Sequence, residues 1–137
     1  MSFLIDKSEQ NIKSADLLII NKHFASSVHC SYYCCIQLML HILRTDFNKT
    51  EEEIDIESKK GSKDESGFHN WLQNIILREF FIRDFNLGRD FNNYIGSLKG
   101  ARIKADYKNI YIEQRHAALA LQHAKEINKI LKEKFTI

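Results

Sequence analysis

Apolar residues return every three or four positions along most of this chain, the period of a helix with one buried face. A sustained alternation of period two, the mark of a half-buried strand, is found nowhere. Ile5, Ile12, Ala15 and Ile19 share a face and predict a helix over 5–22, with Ser8 and the acid and amide after it as its start. The segment 24–44 carries two apolar stripes, one through Val28, Tyr32, Cys35, Met39 and Ile42 and another through Tyr33, Ile36, Leu40 and Leu43. A helix apolar on so much of its circumference belongs at the centre of a helical core.

The next stretch breaks the rhythm. Residues 46–67 hold eight acidic residues against four lysines and end in "KKGSKDESG", which reads as a long polar loop. Beyond it, Phe68, Trp71, Leu72, Ile75, Ile76 and Phe80 predict a helix over 68–84, and "NLGRDFN" predicts a turn around Gly88. A further helix is expected over 90–107. The last is expected over 109–135, with Ala117, Leu121, Ala124, Ile127 and Leu131 on one face. The chain has no proline and only five glycines, so little opposes helix formation. The expected fold is all-α: an antiparallel up-and-down helical bundle of four main helices plus a shorter fifth, with residues 1–137 as a single domain.

Charge adds modest limits. A net charge of +2 argues against a protein devoted to coating nucleic acid, so stable DNA binding is not expected. The acidic stretch leaves the remainder of the chain basic, which suits phosphate-bearing ligands as well as ordinary solvation. Cys30, Cys34 and Cys35 are odd in number and clustered, which is no disulfide framework. Charged residues interrupt 2–20 and the apolar run at 36–43 is short, so no membrane span is expected and a cytoplasmic location follows.

One position sits badly with plain amphipathicity. Phe91, Ile95 and Leu98 define an inward stripe whose continuation lands on Arg102, with Asp106 one turn later. A guanidinium facing the core needs a carboxylate partner, and Asp106 is placed to supply one. A cation before an anion at this spacing opposes the helix dipole, so helix propensity does not account for the pair. The competing assignment completes the stripe with Ala101 and Ala105 and leaves Arg102 on the flank.

The run Arg102-Ile103-Lys104-Ala105-Asp106-Tyr107 resembles the Arg-x-x-Ala-Asp-Tyr signature late in many HEPN (higher eukaryotes and prokaryotes nucleotide-binding) domains. "SADLLIINKHFASSVHCSYYCCIQLMLHIL" is similar to that family's second helix, with Tyr32-Tyr33 as its tyrosine pair, and His69 in "GFHNWL" matches a histidine often found there. "AALALQHAKEINKIL" resembles the closing helix; the likeness covers most of 8–134 and leaves the acidic stretch unmatched. The resemblance implies a helical bundle, commonly dimeric, of the kind found in ribonuclease toxins, in partners of small nucleotidyltransferases and in nucleotide-binding proteins. The ribonucleases use an Arg followed by a His after four to six residues. None of Arg44, Arg78, Arg83, Arg89, Arg102 and Arg115 has such a histidine, and Cys30 stands where the family often has an arginine.

Other constellations are weaker. Ser27, Cys30, Cys34, Gln37, His41 and Arg44 form a small or polar seam along the second helix, suited to a cleft or to a closely approaching helix. Cys30, Cys34 and His41 lack a second ligand pair at metal spacing, and His116 and His123 read as surface residues. Phosphate-binding glycine loops and nucleophile elbows are missing. The expectation is a non-catalytic HEPN-like module in which Arg102, Asp106, His69, Tyr33 and Tyr32 converge on a ligand pocket, with no metal and no cofactor. Its expected partners are a nucleotide, a second copy of the chain or a nucleotidyltransferase. The alternatives are a ribonuclease using a noncanonical set such as Arg102 and His69, and a purely structural scaffold.

Overall fold

The computed structural model describes residues 2–60, 65–135 and 137, and these are helical almost throughout, with no strand among them. The helices are α1 (Phe3–Ile20), α2 (Phe24–Thr45), α3 (Glu51–Lys59), α4 (Glu65–Arg83), α5 (Phe85–Tyr107) and α6 (Gln114–Lys134). Five have 18 to 23 residues and match the five helical segments of the sequence pattern, although none is the shorter fifth expected; the short helix is α3, with nine residues, where a loop was expected. No helix among them is long and apolar enough to cross a membrane.

α2 is the hub: α1, α4, α5 and α6 all pack against it. Its first apolar stripe is buried from Val28 through Tyr32, Cys35 and Met39 to Ile42, and of the second Ile36 and Leu43 are buried while Tyr33 and Leu40 are partly so. They meet Leu72, Ile76 and Phe80 of α4, Phe91, Ile95 and Leu98 of α5, and Ala117, Ala124, Ile127 and Leu131 of the predicted α6 face in one core cluster. The small, polar seam of α2 is covered by α1 of the same chain. Ser27 Oγ donates to the Ala15 carbonyl at 2.7 Å, Ser8 Oγ donates to the Cys34 carbonyl at 2.7 Å, and Asn11 Nδ2 donates to Gln37 Oε1 at 2.8 Å. Short hydroxyls that reach a facing backbone bring two helices close while leaving neither group unsatisfied.

Several boundaries differ from those expected: α4 begins at Glu65 rather than 68, α6 begins at Gln114 rather than 109 because residues 108–113 are not helical, and three others have a local cause. α1 begins at Phe3, capped by Ser2, whose Oγ accepts from the Leu4 amide at 3.2 Å; Ser8 is buried inside the helix. The polar stretch 46–67 contains α3, although residues 61–64 lie outside the described residues. Thr50 Oγ1 accepts from the Glu53 amide at 3.1 Å and its hydroxyl donates back to Glu53 Oε1 at 3.2 Å. Three acids in the first turn of α3 also suit the positive end of its dipole. Gly88 is not in a turn. The break falls at Asp84, which caps α5 by accepting from the Leu87 amide at 3.2 Å. Gly88 is buried within the first turns of α5 because its neighbours leave no room: a Cβ there would stand 2.9 Å from Phe81 Cδ1 and 3.1 Å from Phe80 Cβ.

Two predictions follow from this packing. Gly96 has nothing near its would-be Cβ, so Gly96→Ala should raise stability by about 0.5–1 kcal/mol, whereas Gly88→Ala should lower it by about 1–3 kcal/mol through crowding. Urea unfolding of the two variants checks the opposite signs. His41 is buried on α2, and loss of hydration pushes its ring below the ordinary histidine range, against a smaller opposing effect of Asp46. A depressed histidine binds its proton more readily in the unfolded chain, so this contribution to stability is present above about pH 6.5 and is lost as pH falls. His41→Gln should therefore flatten the fall in stability between about pH 7 and pH 5, read from urea melts at each pH.

Candidate functional site

α5 presents Arg102 on the continuation of its buried stripe, and the side chain is 8% exposed. Nε donates to Asp106 Oδ2 at 2.9 Å, one turn along the same helix. Nη2 donates to the Tyr33 hydroxyl oxygen at 2.9 Å and to that of Tyr107 at 3.2 Å. The guanidinium carbon lies 5.4, 5.4 and 5.2 Å from the ring centres of Tyr32, Tyr33 and Tyr107. A charge placed this deep is tolerated because a carboxylate, two phenol oxygens and three ring faces surround it. Ala101 and Ala105 pack partly buried against the core beside it, so the stripe widens to take both the alanines and the arginine.

Behind the guanidinium, a second set of polar groups ties α2 to α4. Tyr32 is fully buried, its hydroxyl 3.1 Å from His69 Nδ1, and Gln73 Nε2 donates to the same oxygen at 3.0 Å. Tyr32 and Tyr33, adjacent on α2, diverge to serve the two sets and meet edge to face at 5.4 Å. The Tyr33 and His69 rings are 5.7 Å apart. All five residues singled out in the sequence therefore lie in one connected cluster. His69 and Tyr32 are its buried inner half, and Arg102, Tyr33 and Asp106 its outer half.

The outer half reaches solvent through His29, which the motif did not name, and through Tyr107 at the motif's end. His29 Nδ1 is 2.9 Å from Asp106 Oδ2, and its ring lies against Tyr33 at 4.6 Å. His29 is 48% exposed and its Nε2 makes no hydrogen bond to a described residue. Tyr107, at the end of α5, is 64% exposed. These two and Asp106, with Ser26, Cys30 and Ala105, line a surface cleft of about 470 Å³. Burial, and secondarily Cys34, push the Cys30 thiol up, so it is a poor nucleophile at neutral pH. Burial first, and then the Arg102 charge, hold Lys99 one turn earlier on α5 below the ordinary lysine range. Two faint signals for His29 exist in the sequence: it lies one turn before Tyr33 on α2, and it stands next to the cysteine that replaces the family's arginine.

The remaining candidates fall elsewhere. His116 Nδ1 accepts from the Glu113 amide at 3.1 Å at the start of α6, and His123 packs on Tyr94 at 5.3 Å. Cys34 Sγ donates to the Ser31 carbonyl at 3.0 Å inside the core. No group of three or more His, Cys, Asp and Glu that could hold a metal ion occurs among the described residues.

The geometry ranks two substitutions. Asp106→Ala strands a guanidinium that is 8% exposed, whereas Arg102→Met leaves a carboxylate that is 18% exposed and still has His29. Asp106→Ala should be the more damaging, by about 3–5 kcal/mol against a smaller loss for Arg102→Met. Equilibrium unfolding of both decides the order, and an Asp106→Ala cost under about 0.5 kcal/mol would mean an unburied, solvated pair. Compared with known proteins, the chain matches no family model, no curated protein and no solved structure.

Proposed function

We propose that the chain is a non-catalytic, HEPN-like helical module that binds a nucleotide at the Arg102 cluster and works as a homodimer. In this reading its helices run in antiparallel, up-and-down order. The observation that carries the proposal is the pairing of a sealed cation with an open, aromatic-edged cleft. Arg102 is oriented by Asp106 and Tyr33, while His29 and Tyr107 stand at the surface where a ligand can touch them. A phosphate oxygen that displaced the longer bond from Nη2 to Tyr107 would gain a charge-assisted hydrogen bond from a donor already aimed. The freed Tyr107 ring offers a face for a base, an interaction worth about 1–3 kcal/mol. Tyr32, His69 and Gln73 hold the frame from behind. A cleft of about 470 Å³ is within the usual range for a small-molecule site.

The resemblance to HEPN domains also supports a nucleotidyltransferase as the protein partner. That part is checked by whether a nucleotidyltransferase encoded beside this chain copurifies with it.

A second reading, an RNA-cleaving enzyme with a noncanonical site, is favoured by one observation. His29 is oriented by a carboxylate through Nδ1 while its Nε2 has no hydrogen-bond partner among the described residues, an arrangement suited to general acid–base work. His69 is 3% exposed, so His29 is the better placed histidine for that role.

Calorimetric titration with ATP, GTP and AMP tests the binding reading. Saturable binding that weakens about tenfold in Tyr107→Ala and in His29→Ala, with unchanged helicity, is the expected result. No heat and no thermal shift at millimolar nucleotide would remove it. Incubation of the purified protein with RNA separates the second reading: cleavage abolished by His29→Ala supports it, and intact RNA ends it.

A further inference from the structure

We infer that the cleft between α1 and α6 is a docking groove for an acidic amphipathic helix of a partner protein. α1 and α6 both pack on α2 but diverge enough to leave a space of about 640 Å³ between them. Its floor is apolar, made by Ile5 and Ile12 of α1 and Leu38 of α2. Its rim is cationic: Lys13 on one wall faces Lys125, Lys129 and Lys132 on the other. All four lysines are exposed, and none forms an ion pair with a described residue. Among the described residues that line the groove, four are lysines and two, Glu9 and Glu133, are acids, so their balance is positive.

The distribution of these groups selects the occupant. Lys125, Lys129 and Lys132 lie at steps of four and three, on one face of α6, and Ile5 and Ile12 lie two turns apart on α1. Apolar surface and positive charge therefore run side by side for about 10 Å, two helical turns. A fatty acid concentrates its charge at one end and would leave most of the lysines unmatched. Nucleic acid brings the charge without an apolar stripe. A helix with apolar residues on one face and acids flanking them matches both along their whole length, the usual helix-in-groove mode. Asn128, whose Nδ2 contacts Cys34 Sγ at 3.7 Å, adds a polar side chain to the lining.

This groove shares no residue with the Arg102 cleft, so the two proposals stand or fall separately. The test is fluorescence anisotropy of the full chain with a labelled peptide of about 15 residues, leucines at helical spacing and glutamates between them. A second peptide has the same composition in scrambled order. Saturable binding of the first, at least about tenfold weaker for the scrambled peptide and for Lys129→Glu/Lys132→Glu, but unchanged by His29→Ala, is expected. Equal binding of both peptides, or no saturation at millimolar protein, overturns the inference. So does competition by laurate at equimolar amounts, which would make the groove an acyl-chain site. Self-association of the chain that is lost in the same double variant would make the occupant a second copy and likewise overturn it.

Discussion

A guanidinium held inside a helical core dictates much of the arrangement around it. Left unmatched, such a charge costs several kcal/mol, and here the match comes from two helices at once: Asp106 on its own α5 and Tyr33 on α2. The requirement fixes register. Sliding α5 by one turn along α2 would carry Arg102 about 5 Å from the Tyr33 hydroxyl and strand the charge. Tyr32, next to Tyr33 but turned toward α4, passes the constraint to His69 and Gln73. One arginine thus relates three helices whose apolar faces alone would tolerate several alignments. It also accounts for an acid in the last turn of α5, where the helix dipole disfavours it. Asp106 is retained against local propensity because Arg102 needs it.

α2 can serve as hub because its sides solve different problems. Toward α4, α5 and α6 it buries large apolar groups; toward α1 it offers the Ser27 hydroxyl and the Cys34 backbone carbonyl, both in direct hydrogen bonds. The hydroxyls of Ser8 and Ser27 cross that contact to backbone carbonyls at 2.7 Å, which draws α1 onto α2 rather than onto α6. The space between α1 and α6 is the geometric consequence. A helix tied tightly to the hub by small residues leaves a trough on the side that faces α6, floored by its own isoleucines and by Leu38.

The parts of this structure that were legible in the sequence are those with sustained periodicity. The stripes of α2 and α6 and the inward step of α5 onto Arg102 could be followed residue by residue, because burial repeats every turn. Short or compensated features were not. α3 buries only Ile54 and Ser58, so it has no stripe to follow, yet Thr50 and Glu53 stand at the spacing of a capping box. Gly88 reads as a turn by propensity, whereas packing against Phe80 and Phe81 places it inside a helix. Ser8 reads as a cap, but its hydroxyl is used between helices. His29 lies 77 residues from Asp106, and no local pattern encodes a contact over that distance. Arg102 was visible because it breaks the apolar pattern, and the motif around it carried Asp106; the exposed edge of the outer half at His29, polar like any surface, was not.

That outer half bears on whether the cluster is only an internal tie. Neutralising Arg102 requires Asp106 and a phenol, and both are present without His29 or Tyr107. A structural tie is most economically closed by apolar side chains, which shield the pair and add hydrophobic burial. Here the covering groups are instead an ionisable ring that is 48% exposed and a tyrosine that is 64% exposed, and they flank a cleft rather than filling it. Large aromatic surface left in water at the mouth of an oriented charge adds little to the stability of the free protein. It adds a stacking face and a ring nitrogen to any ligand that enters, and this asymmetry supports the binding reading over the purely structural one.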